Sequence, residues 1–144
     1  MIRRANKEDI SSINELGSLV NSNFINTYNI QEYINNSNYI ILVNEEESIN
    51  GLLIIYSNID YYELEIIVVG QKFRKKGIAT NMLNYFLDNY EKKDILLEVD
   101  TNNNDAIKLY DKFGFIIINT REGYYRGKDA YIMQRVVKWK MYLY

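Results

Sequence analysis

The sequence predicts a single α/β (α+β) domain in which a mixed central sheet of about seven strands is flanked by about four helices. Three observations predict it. Four segments repeat apolar residues at the three- and four-residue spacing of amphipathic helices. Seven short runs have the apolar or alternating pattern of strands. In the second half, strand and helix segments alternate, as parallel pairing through helical crossovers requires.

The first half of the chain predicts one strand, two helices and a hairpin. Ile2–Arg4 is a short first strand. Residues 7–21 repeat apolar side chains on one helical face, and residues 27–35 form a shorter helix. Residues 39–43 and 49–56 are apolar runs separated by an acidic turn, which is typical of a hairpin.

The second half predicts two helical crossovers between strands. The predicted elements are the strand Tyr61–Val69, a helix over 78–90, a strand over 95–99, a helix over 103–113, and strands over 115–119 and 130–137. Gly114 follows the second helix at the position where a left-handed residue often ends a helix. Hairpins followed by crossovers predict a mixed sheet.

The composition excludes several classes of chemistry. The 144 residues contain no His, Cys or Pro, so we expect no imidazole base, thiol nucleophile, disulfide or metal site. Any catalysis must use carboxylates, Tyr, Lys, Ser, Thr or backbone amides.

A net charge of −2 at pH 7 argues against a nucleic-acid partner. No apolar run has the length of a membrane span, and the opening MIRRANKEDI lacks a signal-peptide core. We therefore expect a soluble, cytoplasmic protein without a membrane partner.

A basic, glycine-containing loop precedes the 78–90 helix. Arg74, Lys75 and Lys76 lie immediately before Gly77, and Ala79 is the second small residue. The first turn of a helix has unpaired N–H groups and a positive dipole end, and small residues let a phosphate approach the backbone. The loop matches neither GxxxxGK[ST] nor GxGxxG. The pattern indicates an anion site, and a solvated basic loop is the alternative.

A second group of polar residues begins about twenty residues later. Glu98 stands between Leu97 and Val99 in an apolar strand, so we expect it to be partly buried with a raised pKa that suits a base. Tyr110 lies on the inner face of the next helix, where core packing is the alternative to a chemical role. Asn103 either caps that helix or binds the amide of a ligand.

Together the two groups resemble the GCN5-related N-acetyltransferase (GNAT) superfamily. Its R/Q-x-x-G-x-G/A signature is matched by Arg74-Lys75-Lys76-Gly77-Ile78-Ala79. Its N-x-x-A-x-x-x-Y-x-x-x-G-F pattern is matched by Asn103, Ala106, Tyr110, Gly114 and Phe115. Within the superfamily the chain looks most like the bacterial ribosomal-protein-alanine N-acetyltransferases (RimI type), on Leu97-Glu98-Val99, Asn103, Leu109-Tyr110, Tyr124-Tyr125, Asp129-Ala130 and Met133.

The resemblance implies a set of roles. The strand glutamate Glu98 acts as base, the helix tyrosine Tyr110 acts as acid, and Asn103 contacts acetyl-CoA. The backbone of Ile67, Val68 and Val69 pairs with the pantetheine arm. The pyrophosphate is held by the loop residues Arg74, Lys75, Lys76, Gly77, Ile78, Ala79 and Thr80. The superfamily loop usually has an acidic residue and a proline near residues 70–72, where this chain has Gly-Gln-Lys.

Alternatives remain at two places. Glu65 is a second candidate base, because two-residue periodicity puts it on the strand face of Ile67 and Val69. A water relay with no dominant base is the third possibility. The Tyr124–Tyr125 pair either lines a peptide entrance or forms an aromatic surface turn.

The resemblance also implies acetyl-CoA as co-substrate, no metal, and an amine as acceptor. We expect the acceptor to be a protein N-terminal α-amine, that of a ribosomal protein. A small amine (a polyamine, an aminoglycoside or an amino acid) is the first alternative, and an acyl-CoA-binding module without turnover is the second. We expect the acetyltransferase domain to span residues 1–137 and residues 138–144 to form a tail. The oligomeric state is left open.

Overall fold

The computed structural model describes residues 1–125 and 127–137, except for the side chains of Tyr124 and Tyr125. The strands are β1 (Ile2–Arg4), β2 (Tyr39–Glu45), β3 (Ile49–Ser57), β4 (Tyr61–Val69), β5 (Asp94–Asp100), β6 (Ile116–Tyr125) and β7 (Lys128–Arg135). The helices are α1 (Ile10–Ser18), α2 (Phe24–Thr27), α3 (Ile30–Ile34), α4 (Ile78–Asn89) and α5 (Asn104–Lys112). The strands form one mixed sheet in the order β1-β2-β3-β4-β5-β7-β6, which confirms the predicted fold class.

Three predicted elements differ from the observed ones by more than two residues at an end or by a division. The helix predicted over 7–21 is a capped 3₁₀ turn, Lys7–Asp9, followed by α1. The helix predicted over 27–35 is two short helices, because Tyr28 is extended (φ −120°, ψ 108°) and separates α2 from α3. The strand predicted over 115–119 continues to Tyr125, because its exposed polar half pairs with β7 through the backbone and needs no apolar pattern.

The chain divides into two compact units, each made of two segments. The first comprises Met1–Ser57 and Glu65–Glu91. One of its cores lies around α1 and contains the buried residues Ile13, Leu16, Phe24, Ile30, Ile41, Val43, Leu52, Ile54 and Val68. A second buried row lies along α4 and consists of Ile78, Met82, Leu83 and Phe86.

The second unit comprises Asn58–Leu64 and the chain from Lys92 onward. In it the first half of β4 pairs in parallel with β5, from Tyr61↔Asp94 to Leu64↔Leu97. β7 pairs antiparallel with β5 and with β6, so β7 separates the two strands joined by α5. The core includes Tyr62, Leu64, Ile95, Leu97, Val99, Tyr110, Phe115 and Met133. Among the described residues, no helix is long and apolar enough to cross a membrane.

Candidate active site

Hydrogen bonds hold the basic loop of the first unit to β3 and to the end of β4. The Gly70 N–H donates to the Asn50 carbonyl at 2.8 Å, and Arg74 Nε donates to the Val69 carbonyl at 3.2 Å. Lys75 has φ +63°, which is uncommon for a residue with a side chain. The loop therefore turns tightly between β4 and α4, at the position predicted for an anion site.

The loop ends at a helix start that has no side-chain cap. Gly77 is the N-cap of α4 in the left-handed conformation (φ +81°), so the first-turn N–H groups receive no capping oxygen from it. A Cβ at Gly77 would meet no atom of the described residues within 4 Å, so the space above the backbone is open there. Arg74, Lys75 and Lys76 are exposed. These are the donors and charges that favour an anion at a helix N-terminus.

The Glu98 side chain of the second unit lies outside the core and is partly covered. Leu97 and Val99 point into the core, and the two-residue alternation of a strand turns Glu98 to the opposite face. Its side chain is 35% exposed, and Glu98 Oε1 lies 3.2 Å from Arg121 Nη1. Sequence reasoning missed Arg121, because only the pairing of β5 with β7 and of β7 with β6 brings it near β5.

Tyr110 is buried on the inner face of α5. The residue is 5% exposed, and its ring centroid lies 5.5 Å from that of Phe115. Burial raises the pKa of Tyr110 well above its usual range, so its phenol stays protonated at neutral pH. Asn103 Oδ1 accepts from the Ala106 N–H at 3.2 Å, so Asn103 caps α5 and keeps its amide donors available.

Glu65 of the first unit lies near a group of tyrosines that sequence reasoning also missed. Tyr33 and Tyr39 are stacked with ring centroids 3.8 Å apart, and Tyr39 and Tyr56 are 4.9 Å apart. Burial first, then the Tyr33 hydroxyl and the negative charge of Glu65, raise the pKa of Tyr39. Glu65 itself is exposed. No sequence signal groups these residues, because they come from α3 and three different strands.

The predicted site residues thus fall into two sets. The first unit holds Glu65, Ile67, Val68, Val69 and the loop residues 74–80, and the second holds Glu98, Asn103 and Tyr110 together with Arg121. Two other predicted features, the Tyr124–Tyr125 side chains and the 138–144 tail, lie outside the part of the chain that the structure describes.

The chain is similar to known acetyltransferases. A sequence model of the Acetyltransferase (GNAT) family matches residues 11–115. Over 76 residues, 51% of this chain and 48% of the relative, the chain is 38% identical to N-alpha-acetyltransferase RimI of Mycobacterium tuberculosis. The chain spans less than half the length of the curated relatives it matches.

Solved structures match the fold over nearly the whole chain. The ribosomal-protein-S18-alanine N-acetyltransferase of Escherichia coli matches with a TM-score of 0.80 at 21% identity, over 95% of this chain and 93% of that one. Naa50 of Arabidopsis thaliana, in complex with the bisubstrate analogue CoA-Ac-MVNAL, matches with a TM-score of 0.75 at 22% identity, over 95% and 98%. At these identities the matches show the fold.

Proposed function

Because the chain belongs to the GNAT acetyltransferase family, we propose that it transfers an acetyl group from acetyl-CoA to a protein N-terminal α-amine, that of a ribosomal protein. The observation that carries the donor half of this proposal is the uncapped start of α4 at Gly77, with open space above it and three cations beside it. A diphosphate is the kind of group that such a helix start binds. Two of the relatives are N-acetyltransferases of α-amines or of a ribosomal-protein alanine, which supports a protein N-terminus as the acceptor.

The loop and the end of β4 would hold acetyl-CoA, which supplies the acetyl thioester. The N–H groups of Ile78, Ala79 and Thr80 would donate to the diphosphate, and Arg74, Lys75 and Lys76 would balance its charge. Ile67, Val68 and Val69 offer backbone groups to the amides of the pantetheine arm, and their N–H groups can stabilise negative charge on the thioester oxygen. Asn103 would add an amide donor, since its carbonyl is already used as a cap.

In the second unit, Glu98 and Tyr110 have the properties that the proton transfers need. Glu98 is exposed, so it can accept a proton from the acceptor ammonium directly or through a water molecule. Arg121 Nη1 lies 3.2 Å from Glu98 Oε1, where it can orient that carboxylate. Tyr110 stays protonated and can give its proton to the departing sulfur. Glu65 is the alternative base, supported by its exposure on β4.

An α-amine is easier for such a base to deprotonate than a lysine side chain is. An α-amine has a pKa of about 8, so roughly a tenth of it is neutral at pH 7. A lysine amine has a pKa of about 10.4 and is almost entirely charged at that pH. A protein N-terminal α-amine therefore needs less deprotonation before it can attack the thioester than a lysine amine does. A small amine remains the second candidate acceptor, favoured by the carboxylate and aromatic rings of Glu65, Tyr39 and Tyr33, which suit a cation.

A thiol-release assay with acetyl-CoA tests the acceptor. The substrates are a ribosomal-protein N-terminal peptide, the same peptide with a blocked α-amine, and a panel of polyamines, aminoglycosides and amino acids. We expect release with the free peptide and none with the blocked one. Release with the panel alone would support the small-amine candidate. If acetyl-CoA neither raises the melting temperature of the protein nor binds to it in a titration, acetyl-CoA is not the donor.

Matched glutamine variants test the base. Glu98→Gln should lower kcat by about 10²–10⁴-fold and leave acetyl-CoA affinity unchanged, because it keeps the size of the side chain and removes its basicity. Glu65→Gln, the control on β4, should stay within a few-fold of the parent. The reverse pattern would move the base to Glu65.

A further inference from the structure

A buried pair of asparagine side chains connects β2 and β3 and has no part in the chemistry above. Asn44 Nδ2 donates to Asn50 Oδ1 at 2.7 Å, and the two residues are 6% and 2% exposed. Asn50 Nδ2 is also buried, and none of the residues that the structure describes is its hydrogen-bond partner. A buried donor without a partner is unfavourable, so this pair is a poor source of stability. Its position suggests a different use.

The pair spans an irregularity in the sheet. Asn44 pairs with Gly51, and the next residue of β2, Glu45, pairs with Ile49. Asn50 is therefore an extra residue of β3 without a partner on β2, which is the arrangement of a β-bulge. The Asn44–Asn50 hydrogen bond joins the two strands at this point and restricts the conformation of the bulge.

The bulge contacts both ends of the basic loop. At the start of the loop, the Asn50 carbonyl accepts from the Gly70 N–H at 2.8 Å. At its end, α4 packs directly on the backbone beside Asn50: a Cβ at Gly51 would lie 3.0 Å from Ile78 Cγ2 and 2.9 Å from Met82 Sδ. The same bulge therefore sets where the loop leaves β4 and where α4 begins.

We infer that Asn44 and Asn50 are positioning residues for the anion-binding loop, and that their buried hydrogen bond holds Gly70 and Ile78 at the spacing a diphosphate requires. The nature of the ligand rests on the proposed function. The positioning itself rests on the contacts of the bulge with Gly70 and α4.

The main test replaces both partners by apolar residues of similar shape, Asn44→Leu with Asn50→Leu. Removing both partners avoids a new orphan group, so the fold should be retained. We expect the acetyl-CoA dissociation constant to rise about tenfold, with kcat at saturation within about twofold of the parent, because the weakened contacts are with the diphosphate and not with the acetyl group. Hydrogen exchange at the Gly70 amide should become faster.

Val43→Ala is the matched control. Val43 neighbours Asn44 on β2 and is fully buried, but it belongs to the core around α1. This variant should lower the melting temperature and leave the acetyl-CoA dissociation constant within about twofold, because it removes core packing and keeps the Asn44–Asn50 hydrogen bond. If Val43→Ala weakens acetyl-CoA binding as much as the leucine pair does, general destabilisation explains the effect and the inference is wrong.

The remaining outcomes separate this inference from the proposed function. If the leucine pair does not fold, Asn44→Ala, which removes only the donor to Asn50, takes its place with the same expectations. A folded variant with unchanged acetyl-CoA affinity and unchanged Gly70 exchange overturns the inference. If the parent binds no acetyl-CoA, the proposed donor is wrong, and Gly70 exchange still decides: faster exchange supports the positioning role and equal exchange refutes it.

Discussion

The substitution Tyr110→Phe separates the chemistry of the second unit from its packing. The Tyr110 residue is 5% exposed and its ring contacts Phe115, yet its hydroxyl makes no hydrogen bond to a described residue. The phenylalanine variant keeps the ring and removes one oxygen. The free energy of unfolding should therefore change by less than about 1 kcal/mol, since no hydrogen bond is lost.

The expected loss of activity is much larger. If Tyr110 gives its proton to the departing sulfur, kcat should fall by about 10²–10⁴-fold, which is about 3–5 kcal/mol in activation free energy. The acetyl-CoA dissociation constant should not change. Because burial raises the pKa of Tyr110, the parent should show no loss of kcat from deprotonation of this tyrosine as the pH rises from neutral towards 9.

The assay is thiol release at saturating acetyl-CoA and peptide, with thermal unfolding of the same samples. Tyr62→Phe is the control, because Tyr62 is a tyrosine of the same unit with 3% exposure and no proposed role. Its kcat should stay within about twofold of the parent, because the proposed reaction uses no group of Tyr62. A Tyr110→Phe enzyme with the parent's kcat would refute the acid assignment.

Two further predictions concern the first unit. Asp9→Asn should lower the free energy of unfolding by about 1.5–3 kcal/mol, because Asp9 accepts two hydrogen bonds at 2.8 Å from the Arg3 guanidinium, which then keeps only its 3.0 Å contact with the Glu45 carboxylate. Those bonds lower the pKa of Asp9, so its contribution is complete above about pH 4 and is lost as the pH falls; urea unfolding from pH 7 to 3 should show this in the parent and not in the variant. Gly51→Ala should weaken acetyl-CoA binding about tenfold by calorimetry, because the new Cβ displaces Ile78 at the start of α4. Unchanged affinity would show that α4 does not position the loop.

Local sequence patterns predicted the elements whose signals lie within one segment. The strand Tyr61–Val69 and the start of α4 at Ile78 have the predicted bounds. Gly114 ends α5 with φ +88°, and Asn103 caps its start. These features depend on residues a few positions apart, so apolar periodicity and capping chemistry are sufficient to find them.

Features that depend on distant partners were not predictable in the same way. The division of the second predicted helix at Tyr28 and the extension of β6 to Tyr125 depend on packing and strand pairing. The exposure of Glu98 depends on which face of β5 the core covers. Its ion-pair partner, Arg121, lies 23 positions further along the chain. A single segment carries no signal for any of these.

The sequence by itself determined the fold class, the loop signature and the residue types that are available for chemistry. Those depend on composition and short-range spacing, which folding does not change. The tertiary structure decided that Glu98 faces solvent beside Arg121, that Tyr110 is buried against Phe115, and that a bulge at Asn50 lies against the loop that begins at Gly70. The physical reason is that burial and charge pairing depend on which strands become neighbours, and that order is set by the packing of the whole sheet.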